Sequence, residues 1–232
     1  LDEVKLALVA MPDLPEAFNL RGLIYASLGE LQLAEQSFQR ALQLAPRDGD
    51  TLHNHGWFLC QQRRFAEADT QFAAALAAPQ YNDAARTLMA MGVCQARNGR
   101  WADAERTLGR GFELDPANPA IAFAYSEVLY QRGEYERARF YVARINGQRE
   151  QSNAQTLWLA ARIERRLGNR NGVEDFARQH GATVLEGYPI DTRGKLQPAA
   201  FVWFGTMESF QRAGFEEVAR RSPTRPIMRR SL

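Results

Sequence analysis

Three histidines, His53, His55 and His180, and two cysteines, Cys60 and Cys94, are the side chains from which nucleophilic, general-base or metal chemistry would have to be built. His53 and His55 are two apart in a helical pattern, a spacing that turns them to different faces of a helix. The cysteines lie in helix-like segments without metal-type spacing and read as two small buried apolar residues. There is no H-E-x-x-H, no P-loop and no G-x-S-x-G. Carboxylates such as Glu35, Asp69 and Glu105 are scattered along helices, where solvated faces account for them. No catalytic residue, metal site or cofactor is therefore expected, and the chain is read as a binder and not an enzyme.

Composition agrees with a folded chain and names no partner. Of 232 residues, 45% are apolar and 24% charged, and the net charge is +2. The arginines near the end, Arg220, Arg221, Arg225, Arg229 and Arg230, follow Glu217 with no further acid. Without interleaved aromatics they make a weak footprint, and no nucleic acid is expected. No stretch approaches the ~20 apolar residues of a membrane span. Leu1 opens inside a helical pattern and not in a charged segment followed by an apolar one, so no signal peptide is expected in this chain.

The elements that must position any binding residue follow from an internal repeat. Gly22, Gly56 and Gly92 recur at 34 and 36 residues, Ser126 and Ala161 continue at 34 and 35, and Ala34, Ala68, Ala104 and Ala138 keep the same step. This is the tetratricopeptide period, an all-α solenoid of antiparallel helix pairs. In "EAFNLRGLIYASLGELQLAEQSFQRALQLAP" the pattern is nearly complete, with Phe18, Gly22, Tyr25, Gly29, Ala34, Phe38, Ala41 and Pro46. Gly22 and Ala34 are small because two helices approach closely there. Gly29 stops the first helix by accepting a left-handed conformation, and Pro46 ends the second. Later units keep Gly56, Phe65, Ala68, Phe72 and Ala75, then Gly92, Gly99, Trp101, Ala104, Leu108 and Pro116. Two weaker units follow, one with Gly133, Tyr135 and Ala138, the other with Trp158, Gly168 and Val173. Residues 1–14, with Val4, Ala7 and Pro12, read as the second helix of a unit whose first helix is missing.

In such an array the first helix of each pair lines a concave groove. Its expected exposed residues are Asn19 and Leu23, His53 and Trp57, Met89 and Arg97, Phe123 and Tyr130, and Trp158, Arg162 and Arg165. A groove mixing aromatics with arginines suits an extended or helical peptide.

Residues 1–179 resemble the PilF/PilW family of periplasmic tetratricopeptide lipoproteins of type IV pilus biogenesis and stability. The resemblance rests on "LPEAFNLRGLIYASLGELQLAEQSFQRALQLAP", "NHGWFLCQQRRFAEADTQFAAAL" and "YNDAARTLMAMGVCQARNGRWADAE". It implies a scaffold at the periplasmic face of the outer membrane that binds a secretin subunit or another pilus component and assists secretin assembly. Family members are lipidated at an N-terminal cysteine. This chain has none at its start, so a membrane is expected only through a lipid anchor that the chain lacks.

Residues 180–232 resemble the C-terminal part of a GNAT acetyltransferase. "GATVLEGYPID" reads as a strand, "FGTMESFQRAGF" as a short helix, and "EEVARR" and "RPIMRRSL" as the last strands. The chain thus reads as a fusion of an array, 1–179, with an incomplete α+β segment, 180–232, joined within 172–181. The alternative function this implies is acyl-CoA-dependent N-acetyl transfer. Against it, the nearest pyrophosphate loop, "RRLGNRNG", follows a helix and carries Arg170 at a position that must be small. Phe210 stands where such enzymes often place a tyrosine general acid. Gly168 is better read as a helix stop, and the open strand edges of the tail are expected to dock loosely on the array or to mediate self-association.

Overall fold

The computed structural model describes residues 1–148, 150–169, 184–187, 211, 215–222 and 225–231. The chain divides into two compact units, Leu1–Ile163 and Glu164–Leu232. The helices are α1 (Asp2–Ala10), α2 (Pro15–Ser27), α3 (Leu31–Leu44), α4 (Gly49–Gln61), α5 (Phe65–Leu76), α6 (Ala84–Arg97), α7 (Trp101–Leu114), α8 (Pro119–Gln131), α9 (Tyr135–Asn146) and α10 (Ala154–Arg166). Between Phe18 and Arg144 the described residues contain no strand.

Local signals fix where the helices begin and end. Pro15 and Pro119 occupy first helical positions, where a missing N–H costs nothing. Asp48 and Asn118 cap α4 and α8 by accepting from backbone N–H groups of the first turn. Each first helix stops in a left-handed residue: Gly29, Gly99, Gly133 and Gly168 have φ between 75° and 83°. The following N–H reaches back five residues, Glu30 to Tyr25 O and Arg100 to Gln95 O at 2.9 Å, closing the helix end. In the second pair Arg63 takes this role at φ 61°, although it carries a side chain.

Consecutive helices pair as α2 with α3, α4 with α5, α6 with α7 and α8 with α9. The pairs close on a small-against-large contact. A Cβ added to Gly22 would lie 2.7 Å from the Phe38 ring, one on Gly56 2.9 Å from Phe72, and one on Gly92 2.5 Å from Leu108. In the fourth pair Ser126 stands at this place and donates its hydroxyl to Ala138 O at 2.8 Å. Ala34, Ala68, Ala104 and Ala138 are fully buried.

Neighbouring pairs are keyed by ion pairs that repeat with the array. Arg64 reaches Glu35 at 2.7 Å, Arg100 reaches Asp69, and Arg132 and Arg137 reach Glu105 at 2.8 and 2.6 Å. Exposed pairs of this kind are worth only about 0.2–1 kcal/mol each. Their effect is to favour one register of stacking.

The cysteines correct the expectation of two free apolar residues. Cys60 and Cys94 form a disulfide with Cα atoms 5.8 Å apart. Their separation of 34 residues is one repeat step, so they meet across the stacked first helices α4 and α6. They are buried with Phe58, Leu59, Phe72 and Ala90.

In the second unit, β1 (Val184–Gly187), β2 (Glu216–Ser222) and β3 (Arg225–Ser231) form an antiparallel sheet in the order β1-β3-β2. Val184 pairs with Ser231 and Gly187 with Met228, while Glu216 pairs with Arg229 and Ser222 with Arg225. The strands fall where the sequence places them. Of the short helix read around Gly205 to Ala213, only Gln211 lies within the described residues, and it is helical.

Two stability outcomes follow. A left-handed backbone costs a non-glycine residue about 1–2 kcal/mol, partly offset by the larger entropy glycine loses on folding. Arg63→Gly is expected to raise the thermal midpoint by about 1–3 °C in a circular-dichroism melt; a lower midpoint would contradict the helix-stop assignment. Removing the crosslink by Cys60→Ala with Cys94→Ala is expected to lower unfolding free energy by about 3–4 kcal/mol, from the loop it closes. Urea titration with and without reductant checks this, and a wild-type midpoint indifferent to reductant would mean the bond is not formed in solution.

Candidate functional site

The first helices stand side by side, α2 next to α4, α4 next to α6 and α6 next to α8. Counting from the small residue of each pair, the side chains three before and one after it share one face, as spacing by four on a helix requires. These are Asn19 and Leu23, His53 and Trp57, Met89 and Val93, Phe123 and Glu127, and Trp158 and Arg162. Of the groove residues read from the sequence, Asn19, Leu23, His53, Trp57, Met89, Phe123, Trp158 and Arg162 are in this set, while Arg97 and Tyr130 stand four and three residues beyond Val93 and Glu127 on α6 and α8. Arg165 falls in the last turn of α10, within the second unit, and is exposed.

Their exposure differs from expectation at two places. His53 is only 7% exposed and Tyr130 9% exposed. His53 is drawn down between α4 and α6 by polar partners, and Tyr130 is covered by Arg162 and packs on Tyr135 with ring centroids 5.5 Å apart. Trp158, at 57%, and Leu23, at 39%, are open, and Asn19, Trp57, Met89 and Phe123 are half-buried.

Two guanidinium groups lie over rings along this face. Arg97 is 4.9 Å from the centroid of the Trp57 ring, and Arg162 is 4.4 Å from that of Tyr130. Each pair joins one first helix to the next, α4 to α6 and α8 to α10. Cation–π contacts of this geometry contribute about 0.5–1 kcal/mol at exposed sites. They also fix flat cationic surfaces in place, with N–H edges left for a partner's carboxylates or carbonyls.

Beside them runs a hydrogen-bonded network that sequence reading missed. Arg86 donates its Nε–H to His53 Nε2 at 3.1 Å, which leaves the ring proton on Nδ1, 2.8 Å from Thr87 Oγ1. The Thr87 hydroxyl lies 2.6 Å from the Tyr81 hydroxyl. Asn54 donates to Asn19 Oδ1 at 3.1 Å and accepts from Arg86 at 3.4 Å, so α2, α4 and α6 are tied together. The available signal was the repeat step itself: His53 and Thr87 are 34 residues apart.

Burial pushes the His53 imidazole down to about 4, the nearby Arg86 cation adds to the fall, and Asp83 opposes it. Burial likewise lowers His55, which stacks between Phe38 and Phe58 away from the groove. Both rings are neutral near pH 7, and neither shares a site that could hold a metal; no metal-holding cluster occurs among the described residues. Gly168, the candidate pyrophosphate loop residue, closes α10 at φ 83°, with Asn169 N–H bonded to Glu164 O at 3.0 Å. It is a helix stop. Phe210 lies outside the described residues.

The histidine network has a pH signature. The folded-state pKa of His53 lies below its unfolded value of about 6.5, so the unfolded chain takes up the proton first as pH falls. The contribution to stability is complete above about pH 6.5 and is lost toward pH 4, at up to about 1.4 kcal/mol per pH unit. The urea midpoint is expected to fall over that window, and less steeply for His53→Gln; identical slopes would refute the assignment.

Residues 15–48, 55–111 and 95–162 match the tetratricopeptide repeat family. The type IV pilus assembly protein PilF of Pseudomonas aeruginosa is 26% identical over 186 residues, spanning 79% of this chain and 71% of PilF. The crystal structure of PilW, a widely conserved type IV pilus biogenesis factor, superposes with a TM-score of 0.70 at 29% identity, covering 76% of this chain and 80% of PilW. The structure of Pseudomonas aeruginosa PilF gives a TM-score of 0.65 at 25% identity, covering 76% and 79%. The small-on-large helix pairs, their left-handed stops and this shared architecture lead to one conclusion: the chain is a tetratricopeptide-repeat protein homologous to the PilF/PilW proteins of type IV pilus biogenesis.

Proposed function

We propose that the chain is a protein-interaction scaffold of type IV pilus biogenesis which holds a peptide segment of a secretin subunit, or of another pilus component, and so assists secretin assembly or stability. The array, taken as residues 1–179, is the working part. The observation that carries the reading is the line of rings and stacked guanidinium groups along the first helices, Trp57 with Arg97 and Tyr130 with Arg162, ending at the open Trp158. Aromatic side chains and arginine supply most of the energy in protein interfaces because they bury large area at small entropic cost. Here the arginines are already seated on rings, so little further ordering is needed on binding.

A periplasmic location fits the disulfide between Cys60 and Cys94, since such bonds persist in oxidising compartments. No helix among the described residues is long and apolar enough to cross a membrane. Membrane attachment would therefore need a means other than these helices.

The test uses side chains whose loss leaves the helix pairs intact. Arg97→Ala, Trp158→Ala and Arg162→Ala together are expected to weaken binding of the cognate secretin subunit at least tenfold, or about 1.4 kcal/mol. Fluorescence anisotropy with a labelled secretin fragment measures it, with circular dichroism as the control for folding. Unchanged affinity would dismiss the groove.

A further inference from the structure

The third helix pair departs from the second and fourth at a core position of its first helix. Three residues beyond the small residue of each first helix stand Tyr25, Leu59, Gln95 and Leu129. Leu59 and Leu129 are buried core side chains, and Gln95 takes the same place with only 4% exposed. Its Oε1 is buried without a hydrogen-bond partner. An amide at a core position whose acceptor is left unpaired costs about 1–3 kcal/mol and calls for an explanation.

Gln95 borders a pocket of about 310 Å³ completed by Arg100, Asp103, Arg106, Thr107 and Arg110. In the first and fourth pairs the matching places are filled, while the second pair holds Gln71, whose Oε1 is likewise buried and unpartnered, and Ala74. Where Thr107 stands, the first pair has Ser37, bonded to Arg21 at 3.0 Å, and the fourth has Tyr141, packed on Tyr125 with centroids 4.5 Å apart. Where Arg110 stands, the first pair has Arg40, paired with Asp13 at 2.6 Å, and the fourth has Arg144, lying over the Phe112 and Phe140 rings. Arg110 has no such partner among the described residues, and four residues before it Arg106 adds a like charge on the same face of α7, an arrangement that is destabilising by itself.

The lining carries three cations and one anion. Asp103 is held by Arg100 and Arg106, which keep its carboxyl below the usual range, so it orients two of the guanidinium groups while remaining charged. Arg100 is also paired with Asp69, so what is left is a net charge of one, carried by Arg106 and Arg110 against Asp103, with a buried threonine hydroxyl and an amide. The amide nitrogen of Gln95 is not closed off as its Oε1 is, and supplies an N–H.

We propose that this pocket binds a phosphate-type oxoanion, with Arg106 and Arg110 as the charged clamp and Thr107 and Gln95 as inner donors. The space equals on the order of ten waters at about 30 Å³ each, more than a bare tetrahedral anion fills, so the end of a phosphomonoester fits as well as the free ion. The site shares no residue with the groove: Arg106, Thr107 and Arg110 belong to α7, a second helix, and Gln95, although on α6, is not among the groove residues.

The full chain is melted in chloride and in phosphate at matched ionic strength, with glycerol phosphate and with vesicles containing phosphatidic acid as further arms. About 20 mM inorganic phosphate is expected to raise the thermal midpoint by about 2 °C and to broaden the phosphorus resonance. Both effects are lost in Arg106→Gln with Arg110→Gln. They are lost too in Gln95→Leu, which restores the leucine of the neighbouring pairs and is at least as stable as the parent. Response to phosphate alone assigns the free ion, response to the glycerol ester assigns the esterified form, and vesicle co-sedimentation abolished by the double variant assigns a lipid headgroup. No response to any phosphate, or the same response in all variants, overturns the proposal.

Discussion

Each helix pair depends on a place where one helix has almost no side chain. A ring or a leucine from the second helix then fills the space against the bare backbone of the first. Gly22 under Phe38, Gly56 under Phe72 and Gly92 under Leu108 leave no room for a Cβ. Interiors pack too densely for that contact to move without loss, so it fixes both the separation and the rotation of the two helices. Once rotation is fixed, the side chains three before and one after the small residue fall on a common face. The contact made for packing is therefore also what aligns the groove. It likewise brings Cys60 and Cys94, one step apart in the repeat, to within 5.8 Å between Cα atoms.

Two sets of polar interactions act on this frame with different consequences. The ion pairs from Arg64, Arg100 and Arg137 to the preceding unit are solvent-accessible and weak individually. The network of Asn19, Asn54, His53, Arg86, Thr87 and Tyr81 is partly buried, and there each lost partner leaves a desolvated group. The first set biases stacking register; the second makes α2, α4 and α6 behave as one platform. A groove that receives a peptide gains from such rigidity, because a floor already ordered loses little entropy on binding.

The repeat made most of the first unit legible. Small residues, left-handed stops and prolines each have one conformational or steric reason, and they recur at a fixed step. Even the exception at Arg63 is understandable, since the helix-closing bond from Arg64 N–H to Leu59 O forms as it does at the glycines. What the sequence did not disclose were contacts between units that depend on rotation and not on period. The cysteines read as free because each sits inside a helix, yet equivalent positions in successive units are neighbours in space. His53 and Tyr130 were read as exposed because position along the helix gives direction only. Depth is set by what the next helix offers, Thr87 and Arg86 for the one, Arg162 for the other.

An array of this kind can carry a local irregularity without losing the whole. Stability in a solenoid is close to a sum over units and their neighbouring interfaces, so an unpaired amide at Gln95 weakens chiefly the third pair. The same substitution in the single core of a globular domain would be shared by every element around it. Around Gln95 the pair keeps its essential contact, Gly92 against Leu108, and its ion pairs from Arg100. A repeat protein can in this way hold one surface along its aligned first helices and a chemically different one within a single pair, because the contact that aligns the first places no demand on the side chains of the second.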